Sequence, residues 1–119
     1  MNSPKVTIAC VSNLFVRQMC FENVGDKEES HNHKHDHLTL LTSGKLKVII
    51  GDNATEFIAP HMIFIKANVF HELIALEPNT LAHCIHALRD LNGDIFDPNM
   101  YPKGTNLHPL ADSLLTKGS

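Results

Sequence analysis

From residue 6 to residue 89 the apolar positions fall in short runs enriched in β-branched and aromatic side chains, broken every eight to twelve residues by turn formers. This rhythm predicts antiparallel strands over 6–10, 14–22, 37–42, 45–50, 56–58, 62–66, 71–77 and 80–88. The breaks fall at Gly25-Asp26, Ser43-Gly44, Gly51-Asp52-Asn53, Ala59-Pro60, Ala67-Asn68 and Pro78-Asn79, all residues that turn a chain cheaply. Within 45–50, Leu46, Val48 and Ile50 alternate with Lys45, Lys47 and Ile49, so the first set should face inward and the two lysines outward. Leu40, Leu46, Val48, Phe64, Ile65 and Ile85 are the expected core. No stretch before residue 105 keeps a helical period. After Arg89 the composition changes to Asp-Leu-Asn-Gly-Asp with Pro98, Pro102 and Pro109, which predicts an irregular arm over 90–119. Pro109 suits the first position of a short helix through Leu115.

Composition narrows this picture to one all-β domain. A chain of 119 residues, 43% of them hydrophobic, builds a single core and leaves no room for a second, so the barrel should occupy about 6–89 of one domain spanning 1–119. The net charge of -3, with Lys and Arg scattered, supplies no basic field, so nucleic acid is not an expected partner. Residues 1–10 carry no apolar stretch long enough for a signal peptide, and nowhere do about eighteen apolar residues run together. A soluble, cytoplasmic protein without a membrane partner is expected. Cys10, Cys20 and Cys84 are an odd set without CxxC spacing, read as reduced thiols acting as small buried hydrophobes.

The histidines carry the chemistry. Eight of nine lie between residues 31 and 86, and four alternate in His31-Asn32-His33-Lys34-His35-Asp36-His37. One reading is a surface loop that scavenges metal weakly. If 31–37 were one straight strand, His31 and His37 would stand about 20 Å apart at roughly 3.3 Å per residue. One ion cannot bridge that span with bonds of about 2.0–2.1 Å. A shared site therefore requires the chain to reverse, most simply at Lys34-His35-Asp36, leaving His35 at the tip. His61 should be exposed. His83 and His86 sit at odd separation on one strand, so at most one faces the interior. His108 has no evident role, and His71-Glu72-Leu73-Ile74-Ala75 lacks the second histidine of a helical zinc-protease motif.

The spacing around this run resembles the cupin family. The family's first motif is Gly, five residues, His-x-His, three or four residues, Glu, six residues, Gly. Here Gly25 precedes His31-Asn32-His33 by five residues; His37, standing where the family usually has Glu, follows after three, and Gly44 after six more. A weakened second motif is Ile65-Lys66-Ala67-Asn68-Val69-Phe70-His71, with Lys66 for the usual proline and Asn68 for glycine. Asn accepts a left-handed backbone, so the turn can survive the exchange. The resemblance covers residues 14–88. It implies a double-stranded β-helix (jelly-roll) barrel, often a homodimer, with His31, His33, His37 and His71 around one divalent transition-metal ion.

Imidazole ligands suit iron(II), zinc, nickel, copper and cobalt better than manganese or magnesium. An all-histidine shell adds no negative charge, which favours a small anionic, oxygen-rich ligand at the open positions. Three functions remain open: a metal-dependent oxygenase or lyase, a non-catalytic module for an acidic or sugar-like ligand, and a structural zinc site. No catalytic base stands at fixed spacing to the ligands. Tyr101, the only tyrosine, lies in the tail, and Asp36 is either a turn residue or an acceptor for a ligand histidine's ring N–H.

Overall fold

The computed structural model describes residues 2–31 and 36–95, with Ser30 and His31 described by backbone alone. Among them are nine strands and no helix: β1 (Lys5–Val11), β2 (Leu14–Phe21), β3 (Lys27–His31), β4 (His37–Ser43), β5 (Lys45–Ile50), β6 (Asn53–Ile58), β7 (His61–Ile65), β8 (His71–Ala75) and β9 (Thr80–Ala87). The helix expected after Pro109 lies outside the described residues.

The strands form two antiparallel sheets, one in the order β1-β2-β9-β4-β7 and the other β3-β8-β5-β6. Their facing sides enclose Met19, Phe21, Leu41, Leu46, Val48, Ile63, Ile65, Leu73, Ala75 and Ala82. Full burial of a side chain such as Leu41, Leu46 or Phe21 contributes roughly 1.5–3 kcal/mol. The Arg17–Glu28 ion pair also joins the sheets, one partner on β2 and the other on β3.

The expected strands form, with ends shifted by up to three residues, and a further strand was absent from the expectation. Lys27-Glu28-Glu29-Ser30-His31 holds no apolar residue, so β3 carries no hydrophobic signal; its pairing with β8 makes it a strand. The expected core needs one correction and two adjustments. Leu46, Val48 and Ile65 are buried, Leu40 and Ile85 are half-buried on the outer face, and Phe64 is 63% exposed. In the all-apolar run Met62-Ile63-Phe64-Ile65, alternation cannot tell the faces apart. Pairing of Ile63 with Thr39 and of Ile65 with His37 turns those two inward and Phe64 outward. Lys45 and Lys47 are half-buried rather than fully exposed.

Turn chemistry follows the sequence closely. Gly25 (φ 91°) and Gly44 (φ 85°) hold left-handed backbones, and Asn68 (φ 61°) does so in place of a glycine. Cys10 is buried, and burial pushes the Cys84 thiol up to about 11 despite its contact with Thr39 Oγ1 at 3.6 Å, so Cys84 is a packing residue rather than a nucleophile.

Candidate metal centre

Two of the expected ligands, His37 and His71, begin strands of opposite sheets at the same end of the barrel. Each points inward because it opens the alternation that buries Thr39 and Leu41 on β4 and Leu73 and Ala75 on β8. Both are only 4% exposed, and their ring centroids stand 5.2 Å apart at 52°. With metal–nitrogen bonds of about 2.0–2.1 Å, two imidazoles on adjacent positions of one ion bring their centroids roughly 4.5–5.3 Å apart. The observed pair matches that spacing.

The His71 ring is held for this task. Its Nδ1 lies 3.1 Å from the Val69 carbonyl oxygen, which can only accept, so Nδ1 carries the proton and Nε2 keeps its lone pair. Such a backbone carbonyl partner is what orients metal-binding histidines. The turn that supplies Val69 contains Asn68 and is tied to the His37 loop, since Asp36 Oδ1 accepts the Ala67 N–H at 2.7 Å. Asp36 thus holds one loop against the other through this oxygen.

His31 reaches the same rim: it ends β3 opposite His71. Its side chain, with all of His33 and His35, lies outside the described residues, as do Tyr101 and His108. His31 ends β3 in one sheet and His37 opens β4 in the other; the reversal expected at Lys34-His35-Asp36 falls mainly on residues outside the described ones. Among the described residues no group of three or more His, Cys, Asp or Glu is arranged to hold an ion.

One further histidine faces this end. Leu38 pairs with Ile85, so one step on, His37 and His86 occupy neighbouring inward positions. His86 is 6% exposed and stacks on Phe15 at 4.4 Å. Burial lowers its pKa, against the opposing effect of its contact with the Ala87 carbonyl. His83 faces outward onto Gln18, so one of the two looks inside. The signal was present in the alternation of Thr80, Ala82 and His86 along β9. His61 is exposed beside Phe57.

An open cleft of about 320 Å³ lies between β5, β6 and β7. Its lining includes Val48, Ile50, Phe57 and Ile63, with Asn53 and Thr55 as its polar members. Ile50 is the direct cross-strand partner of His71, which does not itself line the cleft. Sequence reasoning did not find this cleft, because Ile50 read only as an inward-facing strand residue. The acidic side chains Glu22 and Glu72 are engaged elsewhere, with Lys5 at 2.9 Å and Lys27 at 3.7 Å.

No protein-family model matches the chain, and no curated protein is similar to it in sequence. Solved structures are similar in fold. KdgF from a Halomonas species superposes with a TM-score of 0.61 at 20% identity, covering 71% of this chain and 78% of that one. A cupin superfamily protein from Desulfitobacterium hafniense gives 0.63 at 12% identity, covering 73% and 80%. An RmlC-like cupin family protein with a double-stranded β-helix fold, from Methanocaldococcus jannaschii, gives 0.62 at 10% identity, covering 70% and 79%.

Proposed function

We propose that this chain, which has the cupin fold, binds one divalent transition-metal ion through His31, His33, His37 and His71 and acts as a small metal-dependent oxygenase or lyase on a carboxylate-bearing substrate. The observation that carries the reading is the buried His37–His71 pair, spaced for one ion, with the cross-strand neighbour of His71, Ile50, lining an open apolar cleft. Iron(II), zinc, nickel and copper all suit the donor set. When bound, such an ion supplies Lewis acidity to an oxygen of the substrate.

The chain's own residues supply the rest. The Val69 carbonyl keeps His71 in the tautomer that presents Nε2. Val48, Ile50, Phe57 and Ile63 take the apolar body of the substrate and exclude water around it. The cleft volume lies near the lower end for small-molecule sites, which fits a short branched or aromatic acid rather than a sugar chain. Because His37 stands where a carboxylate is usual in the resembling family, the donor set carries no negative charge, and the acid head meets no repulsion from it.

Calorimetry on the metal-loaded protein tests the charge preference, with a short branched 2-oxo acid and its neutral amide as probes. The acid should bind at least about tenfold more tightly, a difference of about 1.4 kcal/mol. His37→Glu should keep the metal and lose that advantage; equal affinity for acid and amide would remove the basis for an anionic substrate. Oxygen uptake or product formation on addition of the acid separates an enzyme from a module that only binds.

The proposal extends to a homodimer formed through the outer face of the five-stranded sheet. Val16, Ile85, Leu38 and Phe64 pair in sequence across four strands, followed by Gln18, His83, Leu40 and Met62. The outward positions of β2, β4, β7 and β9 include no Asp, Glu, Lys or Arg, and Met62 and Phe64 are 69% and 63% exposed. An uncharged, apolar face can meet its own copy across a two-fold axis without charge repulsion. Light scattering should give twice the 13.2 kDa chain mass, falling to one chain in Phe64→Glu. A wild-type mass of one chain at micromolar concentration would dismiss the dimer.

A further inference from the structure

Cross-strand register arranges the inner face of the four-stranded sheet in rows. His71, Ile50 and Asn53 form one row, since Ile50 pairs with His71 on one side and with Asn53 on the other. Leu73, Val48 and Thr55 form the next. Direct cross-strand partners share a face, so Asn53 and Thr55 lie on the inner side of β6. Neighbouring strands stand about 4.7–4.9 Å apart, which puts Asn53 roughly 9–10 Å from His71, across the width of β5. The Gly51-Asp52 turn closes the β5–β6 hairpin and fixes Asn53 at that place.

Burial sets these two inward positions apart from their row neighbours. His71, Leu73 and Val48 are buried, whereas Asn53 and Thr55 are exposed and line the open cleft. Ile50 and Val48 line it too, so an apolar strip separates His71 from two side chains that donate and accept hydrogen bonds without carrying charge. Asp52, the charge next to Asn53 in the chain, is negative and exposed, so an anionic group is disfavoured at this side of the cleft.

We propose that Asn53 and Thr55 are specificity-determining residues that recognise a hydroxyl at the far end of the ligand. The substrate class is then a monocarboxylic acid with an apolar middle and a hydroxyl at the end away from the acid. This inference rests on the reading of the cleft as the substrate site. A ligand whose acid group lies at the histidines and whose body crosses Ile50 carries its far end to Asn53, where the amide accepts from or donates to the hydroxyl and Thr55 Oγ1 stands one row below.

The test uses the full chain loaded with zinc and two probes that differ by one hydroxyl, 3-phenylpropanoate and 3-(4-hydroxyphenyl)propanoate. Calorimetry gives the affinities while the methyl resonances of Val48, Ile50 and Ile63 report whether the cleft is occupied. The wild type should bind the hydroxylated acid about fivefold more tightly or better, the scale of one net hydrogen bond. The Asn53→Leu, Thr55→Val double variant should keep 3-phenylpropanoate and lose or invert that preference. Cleft shifts with equal affinity for the two acids, or a preference that the double variant keeps, would overturn the proposal and leave the cleft as the substrate site. Absence of cleft shifts with either acid would overturn both. Both substituted positions are exposed, so the variant keeps the fold, and the comparison of the two acids on the wild type stands without it.

Discussion

Replacing His71 with alanine is expected to weaken divalent-metal binding by more than about 100-fold, beyond what loss of an outer-shell partner alone costs. The residue is buried, its ring orientation is set by the Val69 carbonyl, and it stands 5.2 Å from the other described ligand candidate, centroid to centroid. Alanine there removes a donor that water can replace only in part. His37→Ala should behave alike, whereas His35→Ala and His108→Ala should leave affinity unchanged. Competition against a chromophoric chelator measures all four variants on one scale. Since an imidazole must be neutral to bind, wild-type affinity should also fall as pH drops through about 6.5. Equal losses at His35 and His71 would transfer the metal to the loop and away from the barrel.

Gly44→Ala should lower stability by on the order of 3 kcal/mol or more, through overpacking and backbone strain together. Gly44 makes the corner between β4 and β5, which lie in different sheets, at φ 85°. A Cβ built there would stand 2.2 Å from Thr80 Oγ1 and 2.8 Å from Thr80 Cα. Thr80 cannot yield. It is fully buried, and its hydroxyl donates to the Glu77 carbonyl at 2.8 Å while accepting the Lys45 N–H at 3.3 Å. Thermal unfolding should show Tm lower by on the order of 10 °C. Gly51→Ala is the control: its φ is 58°, but nothing lies within 4 Å of the added carbon, so only the backbone term applies. Equal losses at the two positions would mean that contact with Thr80 contributes nothing.

The parts of the fold legible in the sequence were those with a local physical signature. Gly25, Gly44 and Asn68 marked left-handed turns, and Leu46 and Val48 marked an inward face, because each effect acts within a few residues of its cause. Strand β3 had no such signature; its existence depends on β8, whose paired residues lie forty or more positions away in the chain. Phe64 was misassigned because an all-apolar run leaves the choice of face to register with β4. At the site, the family resemblance pointed to His31, His33, His37 and His71, of which the structure brings the side chains of His37 and His71 together. The inward turn of His86 and the cleft beside Ile50 arise only when distant strands pair, so no window of sequence displays them.

The place of β9 has a consequence for how the molecule assembles. It is the last strand in the described chain, yet it lies between β2 and β4 in the larger sheet. Phe15 must meet His86, and Thr39 must meet Cys84, before that sheet has a centre. Closing such long loops comes before the contacts that repay it, so folding should take roughly milliseconds to seconds rather than microseconds. During synthesis, β2 and β4 wait with unpaired edges until residue 87 has left the ribosome. Through that interval their apolar faces are open to other chains, which makes the arrival of β9 the step at which yield is decided.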